Sequence, residues 1–406
     1  MKVVVFGVYM LEGMAGTKRV RALLDPLVKD KSIDVLNIVY YHSSESNVVN
    51  PSVRKSEGIN YSTIGIKGKG IYSFIKITVL SIVYLWKWRA KGKELVFYKY
   101  GYPDILSILI ILAAKVLGYK IVFDIVENNW ATNQNTNIIH KIRTKSSLFF
   151  IRRIRFYAHG CIGISKNLIE LLTSFAKSTC PVVLIPISVD IDKFSITSKN
   201  ALTDSINVFW GGSIAFNENW TSTKDGIIEL IRAFDETCRT NTFLKITGSG
   251  DSKSLEKFKE LVSQCKNKSN INFYGFVASE THCRLLSECD IAIMNRVNTK
   301  YANDGFPFKL GEYLASGKAV IATRVGDVEL YLKNNIDAIL IPPSDHSALV
   351  DAFNKLYDNH LLISRLGING RIVAENYFSS TTNSKILYDF FKTIIQKNKV
   401  GVDKVF

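Results

Sequence analysis

The stretch NDGFPFKLGEYLASGKAVIAT, residues 303–323, sets two carboxylates, Asp304 and Glu312, on either side of a Gly–Phe–Pro turn. Pro307 suits the start of a helix, Phe308 to Ser316 reads as that helix, and Gly317 suits its end. Glu312 then lies one turn in, on the face of Lys309, and Asp304 lies in the loop before the helix. The amides of Gly305, Phe306, Pro307's neighbour Phe308 and the turn between them open at a helix N-terminus, which favours an anion. A carboxylate accepts two hydrogen bonds from a vicinal diol. The question is which ligand needs two acids around such a mouth.

Other residues capable of chemistry point elsewhere. The six cysteines, at 161, 180, 238, 265, 283 and 289, form no C-x-x-C and no His/Cys zinc spacing, so they read as reduced thiols used as small apolar residues. No metal site is expected, and the acids of Asp190-Ile191-Asp192 are not read as metal ligands. His159, at the start of a short apolar run, reads as a packed or surface histidine.

The elements that must position these residues follow from length and pattern. A chain of 406 residues exceeds one ordinary core, so two domains are expected. With 47% apolar and 22% charged residues it is globular. The net charge is +16. Residues 1–200 hold 28 Lys+Arg against 13 Asp+Glu, so nearly all the excess lies in the first half. Stretches 58–93 and 128–169 contain no acid and interleave basic residues with aromatics. That pairing suits an anionic membrane surface or an anionic lipid-linked substrate. No nucleic-acid-binding module is visible, and no nucleic-acid partner is expected. The first residues, MKVVVFGVY, read as a buried strand rather than a secretory signal, and no run reaches transmembrane length.

Apolar strand-like runs alternate with helix-like runs through both halves. Strands are expected at 2–8, 33–41, 94–100, 120–126, 160–165 and 181–187, then at 206–212, 243–250, 271–277, 290–295, 319–323 and 338–343. Helices are expected at 17–30, 103–118, 166–177, 225–239, 252–266, 279–287, 308–316, 346–357 and about 380–398. Such alternation implies α/β architecture with parallel sheets covered on both faces. The expected division is a first Rossmann-like domain over 1–192, a linker over 193–205, a second over 206–378, and a last helix within 379–406 crossing back to the first domain.

Several blocks of the second half resemble family 4 glycosyltransferases of GT-B fold, of the bacterial polysaccharide type. IPISVDIDKF is similar to their interdomain block, TKDGIIELIRAF to their K-x-G helix, LKITGSGD and INFYGFV to the two following strand–Gly blocks, and DGFPFKLGEYLASGKAVIAT to their E-x7-E block. The form P-x-K-x-x-E-Y-x-A-x-G is present as PFKLGEYLASG. The resemblance implies two Rossmann-like doubly wound domains facing a central cleft. It also implies retaining, metal-independent sugar transfer (EC 2.4) from a nucleotide-sugar, UDP favoured over GDP. The acceptor would be a glycan or a polyprenyl-diphosphate-linked acceptor, in bacterial cell-surface polysaccharide synthesis. The protein would work in the cytoplasm, peripheral on the inner membrane face, with no cofactor.

The resemblance also assigns residues. Asp304 would read the donor sugar and Glu312 the ribose diol, with the helix mouth holding the diphosphate between them. Lys224 matches the lysine that neutralises the diphosphate. The arginine usually found before it is missing, and Lys309 or Arg296 could take its place. Donor contacts are further expected at Gly16, Gly212, Gly248, Phe276, Val277, Gly305, Phe306, Pro307 and Phe308. The family's acceptor-domain histidine is absent from FDIVENNW, where Val126 and Glu127 stand. Glu127 and Asn128, with Thr17, are the acceptor candidates, and Glu127 joins Asp304 and Lys224 as a catalytic candidate. Two rival functions remain: a catalytically silent, membrane-associated subunit of this fold, and a nucleotide-sugar epimerase of related fold.

Overall fold

The computed structural model describes residues 1–8, 14–41, 62–67, 70–89, 94–128, 138–194, 205–217 and 224–396. It divides into two compact units, Met1–Pro186 with Thr381–Phe406, and Ile187–Ser380. Residues 187–192, expected at the end of the first domain, therefore lie with the second. The cause is local. Val189 bridges Ser379, and its carbonyl accepts from Ser380 N at 2.8 Å. Most of the expected linker, 195–204, is outside the described residues.

In the first unit the strands are β1 (Lys2–Phe6), β2 (Asp34–Tyr41), β3 (Ser62–Lys67), β4 (Leu95–Tyr100), β5 (Lys120–Ile125), β6 (Gly160–Gly163) and β7 (Val182–Leu184). Their order is β3-β2-β1-β4-β5-β6-β7, and every neighbouring pair is parallel. The helices are α1 (Ala15–Lys29), α2 (Gly70–Arg89), α3 (Ile108–Val116), α4 (Ile138–Ile151) and α5 (Lys166–Phe175). The near-continuous apolar runs of β4 and β5 are buried on both faces, as a parallel sheet between helices requires. In α1, Val20, Leu23, Leu24 and Leu27 recur at helical spacing and face that core.

The second unit has β8 (Ile206–Ser213), α6 (Ile227–Thr237), β9 (Thr242–Ser249), α7 (Ser252–Ser263), β10 (Ile271–Phe273), α8 (Ser279–Ser287), β11 (Ile291–Met294), α9 (Lys300–Asp304) and α10 (Phe308–Ala315). Then follow β12 (Ala319–Thr323), α11 (Val328–Tyr331), β13 (Ile339–Ile341), α12 (His346–Tyr357) and α13 (His360–Val373). The order β10-β9-β8-β11-β12-β13 is again parallel throughout. The last helix, α14 (Ser380–Gln396), packs Leu387, Phe390, Phe391 and Ile394 into the core of the first unit.

Three expectations change in detail. The helix expected over 103–118 begins only at Ile108, because Asp104 and Ser107 close a turn on each other first. Ser107 N donates to Asp104 Oδ1 at 3.0 Å, and Asp104 N donates to Ser107 Oγ at 2.9 Å. The strand expected over 271–277 stops at Phe273, since Gly275 turns the chain at φ +68°. Asp304 does not lie in a loop: it closes α9, whose start is capped by Thr299 accepting from Ala302 N at 3.1 Å.

A buried ion pair ties the first unit together. Arg19 and Asp124 are both fully buried. Arg19 Nε and Nη2 donate to the two Asp124 oxygens at 2.7 and 2.9 Å, and its remaining donors reach the carbonyls of Pro186 and Ile185. Tyr98 also donates to Asp124. Every charge in this group has a partner. His159 is packed, its Nδ1 accepting from Ile121 N at 3.0 Å, and burial beside Lys120 and Lys115 lowers its pKa to about 4.

Candidate functional site

In the second unit the strand order reverses between β8 and β11. Ligands in such sheets bind outside the carboxyl ends of the strands at that point. The chain places there the Gly211–Gly212 end of β8, residues 224–226, the 295–297 segment after β11, and the start of α10. Residues 224–226 are pinned to the 295–297 segment. Gly226 N donates to Asn295 O at 2.6 Å, Val297 N to Lys224 O at 3.1 Å, and Asn295 Nδ2 donates back to Gly226 O. Asn295 is itself oriented by Trp210 Nε1 at 3.1 Å.

The centre of the site is Asp225, which is only 4% exposed. Lys309 Nζ donates to its Oδ2 at 2.8 Å, and Arg296 Nε lies 4.0 Å from its Oδ1. Burial alone would raise the Asp225 carboxyl, but Lys309, Arg296 and Lys224 outweigh it and hold its pKa below the ordinary value. Burial lowers the Lys309 pKa, and Asp225 offsets only part of that shift. Asp225 thus pairs with Lys309 and Arg296 and feels the charge of Lys224. Arg296 Nε and Nη1 are buried without a hydrogen-bond partner among the described residues. The cluster sits at the start of α10, which carries Lys309.

Two glycines make this packing possible. A Cβ at Gly212 would stand 2.6 Å from Lys309 Nζ and 2.9 Å from Asp225 Oδ2. A Cβ at Gly248, which holds φ +150°, would fall 1.9 Å from the Gly212 carbonyl oxygen. Side chains at these positions would push the Lys309–Asp225 pair and the ends of β8 and β9 apart.

The two acids, Asp304 at the end of α9 and Glu312 in α10, have contacts of their own. Asp304 is buried, with Lys300 Nζ at 3.3 Å. Pro307 caps α10, so Asp304 is not that helix's cap. Glu312 Oε2 is 3.5 Å from His282 Nε2. The His282 ring meets Phe209 edge-on, and Phe209 in turn packs against Tyr313. Tyr313 is held by the backbone of Gly211, whose N donates to its hydroxyl at 2.9 Å. Lys224 lies over the Tyr301 ring at 5.2 Å.

The other expected donor residues fall as follows. Gly305 ends α9 and Phe308 begins α10. Phe306 is buried among Tyr331 and Phe378, so its side chain is core and only its backbone is left to a ligand. Phe276 is exposed and Val277 half-buried in the turn after β10. Gly16, Thr17, Glu127 and Asn128 belong to the first unit. There the Tyr100 ring lies 3.0 Å from where a Gly16 Cβ would be, and the charge of Glu127 acts on Tyr100. Thr17 is buried, and its hydroxyl has no partner among the described residues.

Sequence reasoning missed Asp225 and His282. Asp225 had a signal: an acid wedged between Lys224 and Gly226, next to a candidate phosphate cation. His282 had none, because only folding brings α8 against α10. Gly226, Glu229, Asn295, Arg296 and Thr323 line a small, partly open pocket beside the cluster.

Comparison with known proteins agrees with this geometry. Residues 219–373 match the family model described as Glycosyl transferases group 1. Over 163 residues the chain is 23% identical to O-antigen chain mannosyltransferase C of Escherichia coli. That stretch is 40% of this chain and spans 42% of that relative's length. Among solved structures, Alr3699/HepE of Anabaena in complex with UDP superposes with TM-score 0.72 at 10% identity, covering 97% of this chain and 99% of that one. Sucrose-phosphate synthase of Thermosynechococcus elongatus gives TM-score 0.74 at 15% identity over 97% and 98%. The fold is therefore the GT-B fold, two Rossmann-like units of parallel sheet with flanking helices. The second unit carries a segment of glycosyltransferase group 1 type.

Replacing Asp225 with Asn leaves Lys309 and Arg296 buried without their counter-charge. The expected loss is about 3–5 kcal/mol of stability in denaturant titrations at neutral pH. Adding Lys309→Met should recover part of it. The wild-type carboxyl has a depressed pKa, so its contribution is present above the ordinary carboxylate pKa and lost as pH falls through the lower folded value. The gap between wild type and Asp225→Asn should therefore narrow on acidification.

Proposed function

We propose that the protein is a retaining glycosyltransferase that moves a sugar from a nucleotide-sugar, UDP-linked in preference to GDP-linked, to a glycan acceptor on a lipid carrier. The observation that carries this reading is the buried pairing of Lys309 and Arg296 with Asp225 at the start of α10, with the charge of Lys224 also acting there. Arg296 Nε and Nη1 have no hydrogen-bond partner among the described residues, and a diphosphate would supply acceptors for them. The structural neighbour Alr3699/HepE was solved with UDP and with UDP-glucose, which supports a donor of that class. The similarity to an O-antigen mannosyltransferase supports polysaccharide synthesis as the setting.

In this mechanism Glu312 accepts hydrogen bonds from the ribose diol, with His282 Nε2 3.5 Å away. Lys224, Lys309 and Arg296 hold the diphosphate and stabilise the charge that grows on it as the sugar–phosphate bond breaks. Asp304 accepts from the sugar's hydroxyls and sets the anomeric carbon in place. The acceptor hydroxyl forms its bond to that carbon on the same face. Its proton passes to the leaving phosphate oxygen, so charge and protons balance. The protein cations take the neutralising role a metal would otherwise have, and transfer should survive chelator. Thr17, Glu127 and Asn128 of the first unit bind the acceptor, with Gly16 admitting a close approach of backbone. The enzyme works at the cytoplasmic face of a membrane, where a polyprenyl-diphosphate-linked acceptor is presented.

The first test is a thermal-shift titration with UDP, GDP, ADP and CMP without added metal. At a hundredfold excess over Kd the native state gains about 2.7 kcal/mol. A shift with UDP that vanishes in Glu312→Ala supports the reading. No shift with any nucleotide would move the protein to the silent-subunit alternative.

Asp304 and Glu312 should separate kinetically. Asp304→Asn is expected to lower kcat for sugar transfer by roughly tenfold or more while leaving the Kd for UDP unchanged, because UDP carries no sugar for Asp304 to hold. Weakened UDP binding in Asp304→Asn would reassign that residue to the nucleotide.

A further inference from the structure

In the first unit, α2 is apolar on two faces. Ile77 and Leu85 turn inward and are buried. Tyr72, Ile75, Val79, Val83 and Trp86 are exposed, Tyr72 by 76% and Trp86 by 62%. At about 100° per residue these five fall within an arc of roughly 80° on the side away from the core. Lys76 and Lys87 border that arc on one edge and Arg89 on the other, and all three are exposed.

The surface continues beyond α2. Helix α3 packs against α2 and exposes Leu109, Leu112 and Val116 along one face. Lys115 of α3 donates to the carbonyl of Phe156. Phe156 is exposed, with Arg155 over its ring at 4.9 Å. Arg153 covers the exposed Phe149 of α4 at 3.7 Å. Asp104, in the turn before α3, is buried and paired with Arg143 at 2.8 Å. Residues 70–89 and 138–156 contain no acid at all.

We propose that α2, α3 and the Phe149–Phe156 segment form one docking surface for an anionic lipid bilayer, with the α2 stripe entering the headgroup–acyl boundary and the flanking Lys and Arg meeting lipid phosphates. An exposed apolar stripe of this length needs a cover. Its basic borders choose the occupant. Two copies of this chain joined face to face would oppose cation to cation, whereas an anionic headgroup layer complements both apolar and charged parts. No helix among the described residues is long and apolar enough to cross a membrane, so α2 lies in the interface plane rather than through the bilayer. This deepens the membrane-facing part of the proposed function by naming the surface. It stands independently of the donor chemistry.

The test is co-flotation of the full chain with vesicles of phosphatidylcholine alone or phosphatidylcholine with phosphatidylglycerol. Wild type, Val79→Glu/Val83→Glu and Lys76→Glu/Lys87→Glu are compared. UDP thermal shift and size-exclusion mass are read on the same preparations. The substituted side chains are exposed, so the fold and the UDP response are expected to be unchanged. Wild type should bind the anionic vesicles at least about tenfold more tightly than the neutral ones, less so in high salt, and both variants should lose that binding. Unchanged flotation of Val79→Glu/Val83→Glu, or no flotation of wild type, overturns the proposal. A wild-type dimer that Val79→Glu/Val83→Glu turns into a monomer also overturns it, assigning the face to a second copy. Vesicle binding without any nucleotide response keeps the docking surface and removes the glycosyltransferase reading. The converse result removes only the docking surface.

Discussion

A buried carboxylate that gathers cations governs each unit, and the two differ in how completely the guanidinium donors are satisfied. In the first unit Asp124 meets one guanidinium and a tyrosine hydroxyl, and Arg19 spends its further donors on two carbonyls. The result is a closed knot joining α1, β5 and the 185–186 segment. In the second unit Asp225 holds Lys309 and Arg296 and feels the charge of Lys224. Removing either acid would strand buried positive charge, so both are structural. Only the second leaves guanidinium donors, Nε and Nη1 of Arg296, without a hydrogen-bond partner among the described residues, and it does so where the strand order reverses between β8 and β11.

Much of the fold was legible in the sequence. Unbroken apolar runs such as LVFYKY and KIVFDI have no other use than strands covered on both faces. Helices with a clean polar–apolar period, 279–287 and 346–357, were bounded correctly. The elements left unread fail for a physical reason. Helix α2 is apolar on both its core and its outer face, so its sequence shows a run without a period. The expected division at 192 missed Ile187–Val189, because the pairing of Val189 with Ser379 joins residues far apart in the chain.

The site was legible where spacing is local. Lys309 and Glu312 share a face of one short helix, and the block around them is specific. What sequence could not supply is the long-range part: Asp225 meeting Lys309, and Glu312 meeting His282. The missing arginine illustrates this. Sequence left Lys309 and Arg296 as alternatives, whereas the structure brings both to the same carboxylate. The Phe306 side chain is packed into an aromatic cluster, which leaves only its backbone for the role the sequence suggested.

The central claim is that the Lys309–Arg296–Asp225 cluster holds a diphosphate. Calorimetric titration of UDP against UMP, in the wild type and in Lys309→Met, tests it most directly. The account predicts that UDP binds at least about tenfold more tightly than UMP, since the second phosphate is what the cluster reads. It also predicts that this preference shrinks several-fold in Lys309→Met. Equal affinity for the two nucleotides, or a preference untouched by the loss of Lys309, would contradict it.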